Sequence, residues 1–314
     1  MDNKKVRIAV LGANPSWQKT LFFNDLTPGA VNRARKEECY SSGKGINFCR
    51  AVRCSGLAET EIFQFAGGVN GKLLCDGLDD AGFIHHTVNT SAETRNCITC
   101  LDQHGNMTEL IGVSHAVTDA ESRQMLDELT KHLPSSSILA ITGSLPDGTS
   151  PSLYVKAVEI AVRNRLPVLV DALAGIGDIL KQDGRIILKV NREEFFKITG
   201  KNEIVSAHRY AAEKFPGKIF AVTNGGGEAT LANDEKLCYY TLPEIKVVSP
   251  LGAGDTASAV LAALFAGGCQ ETEAFRYALA AASANCLNAT AGEYRLEEAE
   301  KFASMIGVVA EALR

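Results

Sequence analysis

The chain has 314 residues, of which 46% are apolar and 22% are charged, so it can bury a sizeable core. Its net charge of −5 at pH 7 gives no reason to expect binding to nucleic acid or to an anionic membrane. The apolar run at 6–11 has the length of a strand rather than of a secretory signal or a membrane span. Together with nine scattered cysteines, these features predict a cytoplasmic protein with reduced thiols.

The first part of the chain is predicted to contain one buried strand, at 6–11, followed by several short elements. Two short strands are expected at 20–23 and 30–34, on either side of the turn Thr27-Pro28-Gly29. The other expected elements are a helix from Ser41-Ser42-Gly43-Lys44-Gly45 to about residue 54, a strand at 62–66, a helix at 70–80 and a hairpin of strands at 95–101 and 107–111.

From residue 119 onward, predicted helices and strands alternate. Helices are expected near 119–132, 152–164, 175–181, 192–199, 206–214, 254–266, 272–289 and 296–313, and strands near 137–142, 167–170, 186–190, 218–223, 229–232 and 237–241. This alternation predicts a mostly parallel sheet between layers of helices. We therefore expect one α/β domain over 1–314, interrupted by a small β appendage from the early strands.

A glycine-rich turn precedes the alanine-rich helix predicted at 254–266. Gly252 and Gly254 allow backbone N–H groups to approach a ligand closely, and a helix N-terminus adds unpaired donors and partial positive charge. Asp255, in the first helical turn, is placed to accept a proton from a hydroxyl beside such an anion site. This segment suits phosphoryl transfer, but it is equally typical of a tight turn in which Asp255 only caps the helix.

Another candidate site follows the apolar strand at 186–190, at the carboxyl end where α/β sheets bind ligands. Lys189 is suited to contact phosphate oxygens. Asn191 and Glu194, three residues apart at a helix start, are suited to hold hydrated Mg²⁺ beside phosphates. Taken alone, this segment also fits an ordinary polar helix cap.

A glycine-flanked lysine, Lys44, stands at the start of a predicted helix, although the Walker A spacing is absent. Lys44 and Asn47 suit an anionic, polyhydroxylated substrate, and Arg95 offers a second cation unless it is a solvated strand residue. The glycines at 225–227 suit close contact with a nucleotide or a flexible hairpin start. No dinucleotide fingerprint follows the first strand, and neither Ser144 nor the histidines show the spacing of a hydrolase triad or a zinc site.

Taken in chain order, these segments resemble the PfkB, or ribokinase-like, family of carbohydrate kinases over nearly the whole sequence. The likeness is closest to the branch of 1-phosphofructokinases and tagatose-6-phosphate kinases. Beyond the segments above, it rests on Asn14-Pro15, Lys19-Thr20, Gly29, Asn32-Arg33, Arg50-Ala51, Gly67-Gly68, Gly71, Thr94-Arg95-Asn96, Asn106, Thr108-Glu109, Gly143-Ser144-Leu145-Pro146 and Gly148.

The resemblance implies a three-layer αβα domain with a β-sheet lid from about 15–42 and 94–113, through which homodimers form. It implies transfer of the ATP γ-phosphoryl group to a hydroxyl of a sugar phosphate, with Mg²⁺. It assigns the base to Asp255 and the anion hole to Gly252, Ala253 and Gly254. The other implied site residues are Gln18, Gly43, Lys44, Asn47, Arg95 and Ser144 for the substrate, Lys189, Asn191, Thr223, Gly225, Gly226 and Asn285 for ATP, and Glu194 and Asp171, through water, for the metal.

The residues that the resemblance assigns to sugar binding depart from the family pattern. Gln18, preceded by Trp17, replaces an aspartate that usually holds sugar hydroxyls, and its amide can donate as well as accept but carries no charge. The other departures are Asp171-Ala172-Leu173-Ala174 in place of Asp-Thr-Ser-Gly, Val190 in place of proline, and Pro250-Leu251 before the glycine turn.

Three functions are compatible with these residues. Lys44 and Arg95 together favour a kinase for a phosphorylated ketohexose, such as fructose 1-phosphate or tagatose 6-phosphate. Gln18 and Trp17 favour a ribokinase-like kinase for a nucleoside or an unphosphorylated sugar. The altered motifs near Gln18 and Asp171 are also compatible with a non-catalytic sugar-phosphate or nucleotide sensor on the same scaffold.

Overall fold

A computed structural model describes residues 5–313, whose strands form two separate sheets. The strands are β1 (Arg7–Leu11), β2 (Ser16–Phe22), β3 (Lys36–Ser42), β4 (Glu59–Ala66), β5 (Ile84–Asn89), β6 (Asn96–Leu101), β7 (Met107–Ile111), β8 (Ile138–Thr142), β9 (Val168–Asp171), β10 (Ile186–Asn191), β11 (Ile219–Thr223), β12 (Ala229–Ala232), β13 (Lys236–Thr241) and β14 (Gly307–Ala312). The helices are α1 (Lys44–Ser55), α2 (Gly68–Asp80), α3 (Asp119–His132), α4 (Ser152–Arg163), α5 (Ile176–Ile179), α6 (Arg192–Thr199), α7 (Ile204–Lys214), α8 (Ala253–Ala266), α9 (Glu271–Asn285) and α10 (Leu296–Met305).

The large sheet has ten strands in the order β14-β13-β12-β11-β10-β9-β8-β1-β4-β5. The strands from β11 to β5 pair in parallel, and β12, β13 and β14 extend one edge in antiparallel fashion. The chain leaves β1 toward β4 and β5 and later returns to β8 on the other side of β1. This reversal places a crevice at the carboxyl ends of β1 and β8, which is where open α/β sheets bind ligands.

Helices cover both faces of the large sheet, because successive strand residues point to opposite sides. Ile8 and Val10 of β1 pack with α1, α2, α8, α9 and α10, whereas Ala9 and Leu11 pack with α3, α4, α5, α6 and α7. The predicted three-layer αβα architecture is therefore confirmed.

The small sheet has the strand order β3-β2-β6-β7, and its strands lie within the two predicted appendage segments. The strand expected at 30–34 is wrong: this stretch is a loop, and the second strand is β3. Asn32 explains the difference, because its side chain hydrogen-bonds to the backbone N–H and C=O of Thr27 and to the C=O of Ala30, which closes a turn. The predicted hairpin of β6 and β7 is confirmed.

Two other expectations about the fold are wrong or incomplete. The predicted final helix, 296–313, ends at Met305, and the chain continues as β14 along the edge of β13. Gly307 disfavours continuation of the helix, and the β-branched Val308 and Val309 favour a strand. Strand β5 was not predicted. Among residues 5–313, no helix is both long enough and apolar enough to cross a bilayer.

Candidate active site

The glycine turn before α8 is held in a shape that only glycine fits. Gly252, the N-cap residue of α8, has φ of 79°. A Cβ atom there would lie 2.7 Å from Ala291 Cβ and 2.8 Å from Gly292 N. Within residues 5–313, the N–H groups of Gly252, Gly254 and Asp255 make no hydrogen bond, so this helix N-terminus has three donors available to an anion.

One predicted member of this anion hole makes a different contact. The Ala253 N–H donates to the Pro250 carbonyl at 3.3 Å, which closes a tight turn. In this structure the free donors are therefore the N–H groups of Gly252, Gly254 and Asp255, rather than those of Gly252, Ala253 and Gly254.

Asn285 supports the turn from behind. Its side chain is fully buried, and its Nδ2 donates to the Leu251 carbonyl at 2.9 Å. Its Oδ1 accepts from Thr256 Oγ1 at 3.1 Å and from the Gly292 N–H at 2.7 Å. The prediction that Asn285 contacts ATP is not supported, because these three bonds engage the side chain and hold it away from the surface.

Asp255 is buried but has few polar partners. Its Oδ2 accepts from Asn47 Nδ2 at 2.8 Å, and its Oδ1 lies 4.0 Å from Lys44 Nζ. Burial raises the pKa of the Asp255 carboxyl above its usual range, although Lys44 opposes that shift. A carboxylate with raised proton affinity beside an anion-binding turn is suited to accept a proton from a substrate hydroxyl.

Asp171, at the end of β9, is surrounded by donors. Its Oδ2 accepts from Lys189 Nζ at 3.1 Å and from Ser258 Oγ at 2.7 Å, and its Oδ1 accepts from Lys44 Nζ at 3.3 Å. Burial alone would raise the pKa of this carboxyl, but Lys189 and Lys44 outweigh it and hold the pKa at about 2. The Asp171 carboxylate in turn raises the pKa of Lys44. Ser258 was not predicted, although it lies one helical turn after Gly254 on the same face of α8.

The junction between β10 and α6 carries three predicted site residues. Lys189 and Asn191 lie at the end of β10, and Glu194 lies in the first turn of α6. The Lys189 side chain is buried and lies directly behind the turn, since a Cβ atom on Gly254 would come within 2.9 Å of its Nζ. The Asn191 Oδ1 accepts from the Glu194 N–H at 2.9 Å, and the Glu194 Oε2 accepts from the Asn191 N–H at 3.0 Å. The polar helix cap left open by the sequence is thus present at the start of α6.

In the described part of the chain, residues 5–313, these groups border a lid cavity, a crevice cavity and an apolar cavity, and the glycine turn lines the first and the third. The lid cavity, of about 420 Å³, lies between the small sheet and the turn. The crevice cavity, of about 520 Å³, lies at the reversal between β1 and β8. The apolar cavity, of about 300 Å³, lies on the other side of the turn.

The lid and crevice cavities are lined by most of the predicted substrate residues. The lid cavity is lined by Gln18, Gly43, Lys44, Asn47, Arg95, Gly252, Gly254 and Asp255, among others. Lys44 and Arg95 also line the crevice cavity, together with Ser144, Asp171 and Glu194. The structure therefore brings both predicted cations to the boundary of the lid and crevice cavities, and the Lys44 ammonium lies 4.0 Å from the Asp255 carboxylate.

Arg95 and Gln18 have defined contacts at this boundary. Arg95 Nη2 donates to the Asn14 carbonyl at 2.9 Å, and its buried Nε makes no hydrogen bond within the described chain. Gln18 Nε2 donates to Thr99 Oγ1 at 2.9 Å. No donor among residues 5–313 bonds to the Gln18 Oε1, so the acceptor side of this amide remains available in the lid cavity.

The apolar cavity contains the predicted nucleotide residues Thr223, Gly225 and Gly226. Its other walls were not predicted: they include Leu242, Pro243, Ile245, Val247, Leu279 and Ala282. The alternating apolar residues between β13 and the glycine turn are the sequence feature from which these walls could have been predicted. An apolar slot beside an anion-binding helix N-terminus suits a flat heterocycle joined to phosphates.

The family profile described as "pfkB family carbohydrate kinase" matches residues 14–298 of the chain. The chain belongs to the pfkB family of carbohydrate kinases. It is accordingly a sugar kinase of the pfkB type, and sugar kinases of this family use ATP and typically Mg²⁺.

Individual relatives of this pfkB kinase include phosphofructokinases. It is 26% identical over 307 residues to the ATP-dependent 6-phosphofructokinase isozyme 2 of Mycobacterium tuberculosis. The aligned region covers 96% of this chain and 90% of that protein. The phosphofructokinase-2 of Escherichia coli, solved with substrates and products, superposes with a TM-score of 0.87 at 22% identity, over 96% of this chain and 99% of the other. A Thermotoga maritima protein described as a possible 1-phosphofructokinase has a TM-score of 0.83 at 20% identity, over 97% and 99% of the two chains. These structures share the fold.

Proposed function

We propose that this pfkB kinase transfers the γ-phosphoryl group of ATP to a hydroxyl of a sugar phosphate, in the class of fructose 1-phosphate or tagatose 6-phosphate. One observation carries the proposal: the Gly252–Asp255 turn forms a wall of both the apolar cavity and the cation-bearing lid cavity. A nucleotide in the first cavity and a sugar phosphate in the second would meet at the free N–H groups of the turn.

In this arrangement Asp255 is the general base. The acceptor hydroxyl gives its proton to the Asp255 carboxylate as its oxygen attacks the γ-phosphorus. The bond from phosphorus to the β,γ-bridging oxygen breaks, and ADP leaves with that oxygen. The N–H groups of Gly252, Gly254 and Asp255 stabilise the negative charge on the transferring group. The buried ammonium of Lys189 adds positive potential behind the turn.

The residues present fit a hydrated Mg²⁺ ion. Glu194 lines the crevice cavity, and its Oε1 makes no hydrogen bond in the described chain, so one carboxylate oxygen is available to a metal or its water. Asp171 lines the same cavity, but both of its oxygens already accept from lysines, so Glu194 is the better ligand. A bound Mg²⁺ ion would neutralise charge on the ATP phosphates.

Lys44 and Arg95 are the proposed ligands for the phosphate that the acceptor already carries. Both line the lid cavity, and the buried Nε of Arg95 makes no hydrogen bond within the described chain. A buried guanidinium N–H without an acceptor is unfavourable, and a phosphate oxygen would satisfy it. The name of the Mycobacterium tuberculosis relative, a 6-phosphofructokinase, also indicates a phosphorylated acceptor for that protein.

An ADP-release screen tests the proposal. Purified protein with Mg·ATP is assayed against ketohexose phosphates, the corresponding free sugars and nucleosides. We expect turnover with a sugar phosphate. Arg95→Ala should raise the KM for that substrate by about 10–100-fold, because a hydrogen bond to a charged group contributes about 1.5–3 kcal/mol. Lys19→Ala, a charge removal on the same small sheet outside the lid cavity, is the matched control and should leave KM unchanged.

A second function is favoured by the free acceptor oxygen of Gln18, which suits a neutral hydroxyl. Turnover with a free sugar or a nucleoside, unaffected by Lys44→Ala or Arg95→Ala, would support a ribokinase-like kinase for an unphosphorylated acceptor. Binding of ATP and a sugar phosphate without ADP release would instead support the non-catalytic sensor.

We also propose that the chain forms a homodimer through the small sheet, which acts as a lid. Leu110 of β7 and the following Val113 are large apolar side chains that are more than half exposed in the single chain and do not line the lid cavity. Contact with a second copy would bury them. The mass of the particle in solution, measured for the wild-type chain and for Leu110→Lys, tests this: the variant should shift toward monomer.

A further inference from the structure

Three potential metal ligands converge at the edge of the large sheet formed by β4 and β5. Glu61 lies on β4, His86 on β5, and His132 is the last residue of α3. In the parallel register of these strands Phe63 is paired with His86, so His86 shares a face of the sheet with Phe63 and Glu61. Helix α3 packs on that face, and its C-terminus brings His132 to the same point.

The distances suit one small ion. The Oε2 of Glu61 lies 3.1 Å from His86 Nε2 and 3.6 Å from His132 Nδ1. The three ligand atoms all lie within 4.8 Å of one another. In a tetrahedral zinc site with bonds near 2.0–2.2 Å, neighbouring ligand atoms stand about 3.3 Å apart, so only small side-chain movements are needed.

The surroundings of the three ligands are also those of a metal site. The second ring nitrogen of His132, Nε2, lies 3.6 Å from Glu128 Oε2, and a ligating histidine commonly directs its other nitrogen to a carboxylate. The second oxygen of Glu61, Oε1, lies 3.9 Å from Arg7 Nε, which leaves Oε2 to the cluster. The His86 ring stacks on Phe63 with centroids 4.6 Å apart, which fixes its orientation.

We propose that Glu61, His86 and His132 bind one Zn²⁺ ion, with water completing the coordination. Two imidazoles and one carboxylate form a donor set that suits zinc better than magnesium, which prefers oxygen ligands. The side chains are 13%, 19% and 26% exposed, so the site is preformed yet open to an ion from solution. Zinc here would tie the end of α3 to β4 and β5, and the site is separate from the proposed Mg²⁺ ligand Glu194.

The neighbouring histidine provides a matched control. His85 is also on β5, but it points to the opposite face, where its Nε2 lies 3.1 Å from Asp79 Oδ1 and its Nδ1 lies 2.8 Å from Thr87 Oγ1. It thus has a carboxylate partner, but it is not one of the three clustered ligands.

Calorimetric titration of metal-stripped, tag-free protein with ZnCl₂, in excess Mg²⁺ to fill the proposed Mg²⁺ site at Glu194, tests the proposal. We expect one Zn²⁺ per chain and a Zn²⁺-dependent rise in Tm. Glu128→Gln should weaken binding by about 10–100-fold, and His86→Asn and His132→Asn by more. His85→Asn should bind like the wild-type chain. Circular dichroism confirms that each variant is folded.

Cobalt provides a second measurement that does not depend on the variants' stability. Co²⁺ bound to the wild-type chain should give the visible absorption of a four-coordinate nitrogen and oxygen site, and Zn²⁺ should displace it. The proposal is overturned if the wild-type chain binds no Zn²⁺. It is also overturned if His86→Asn and His132→Asn bind Zn²⁺ with the same affinity as His85→Asn.

Discussion

The regions around Asp171 and Asp255 lie on either side of Lys44, and they show how surroundings divide the roles of two similar groups. Both carboxylates are 5% exposed. Asp171 has two lysines and a serine as partners, and its pKa is held at about 2. Asp255 has one amide donor and a more distant lysine, and its pKa is raised. Because the two carboxylates are equally buried, their different numbers of cationic partners explain the difference in pKa. Asp171 stays charged as part of the structure, whereas Asp255 is suited to accept a proton.

The largest effect on stability is expected for Asp171→Asn. This change leaves the buried Lys189 ammonium without its carboxylate, and breaking such a pair reduces the free energy of unfolding by about 3–5 kcal/mol. Urea denaturation measures it. Asp255→Asn is the matched control and should not destabilise the chain, because burial already disfavours the charged form of Asp255. Equal stabilities of the two variants would contradict the difference between the regions.

The free energy of unfolding should also depend on pH in opposite ways through Asp171 and Asp255, and this effect should be smaller than that of Asp171→Asn. The folded-state pKa of Asp171, about 2, is below the unfolded value of about 3.9. Asp171 therefore contributes about 2–3 kcal/mol that is fully present above pH of about 4 and is lost as the pH falls toward 2. The raised pKa of Asp255 has the opposite sign, so its protonation favours the folded state. Unfolding free energies of the wild-type chain and Asp171→Asn, measured between these pH values, should converge on acidification.

A smaller difference is expected between the two glycines of the turn. Gly252→Ala places a Cβ at a positive φ, which alone costs about 1–2 kcal/mol, and against the backbone of Ala291 and Gly292, so it should reduce the free energy of unfolding by at least that amount and lower kcat. Gly254→Ala meets only the tip of Lys189, which can move, so its effect on stability should be smaller. Thermal unfolding and ADP release measure both. A larger stability loss for Gly254→Ala would show that Lys189 is fixed more firmly than the turn.

The layers of the fold and much of the candidate site could be predicted from the sequence. Gly252, Lys44 and Arg95 stand out because glycine conformation and isolated cations are visible in a sequence. The polar cap made by Asn191 and Glu194 was also anticipated as an alternative. Helix periodicity and apolar runs were sufficient for the αβα layers, but not for the end of the chain, where β14 depends on pairing with β13.

Features that depend on long-range contacts could not be predicted. Asn285 was expected to bind ATP, but its three hydrogen bonds join residues from Leu251 to Gly292, and these partners are known only after folding. The spacing of the histidines along the sequence does not indicate a zinc site. His86 and His132 come together with Glu61 only because β5 pairs with β4 and α3 packs across them.

The kcat of Asp255→Asn tests the central claim most directly. The variant keeps the shape of the side chain and removes only its ability to accept the proton. With a substrate found in the ADP-release screen, we predict that kcat falls by about 10²–10⁴-fold while ATP affinity and unfolding free energy are retained. Near-normal turnover by Asp255→Asn would contradict the assignment of Asp255 as the base.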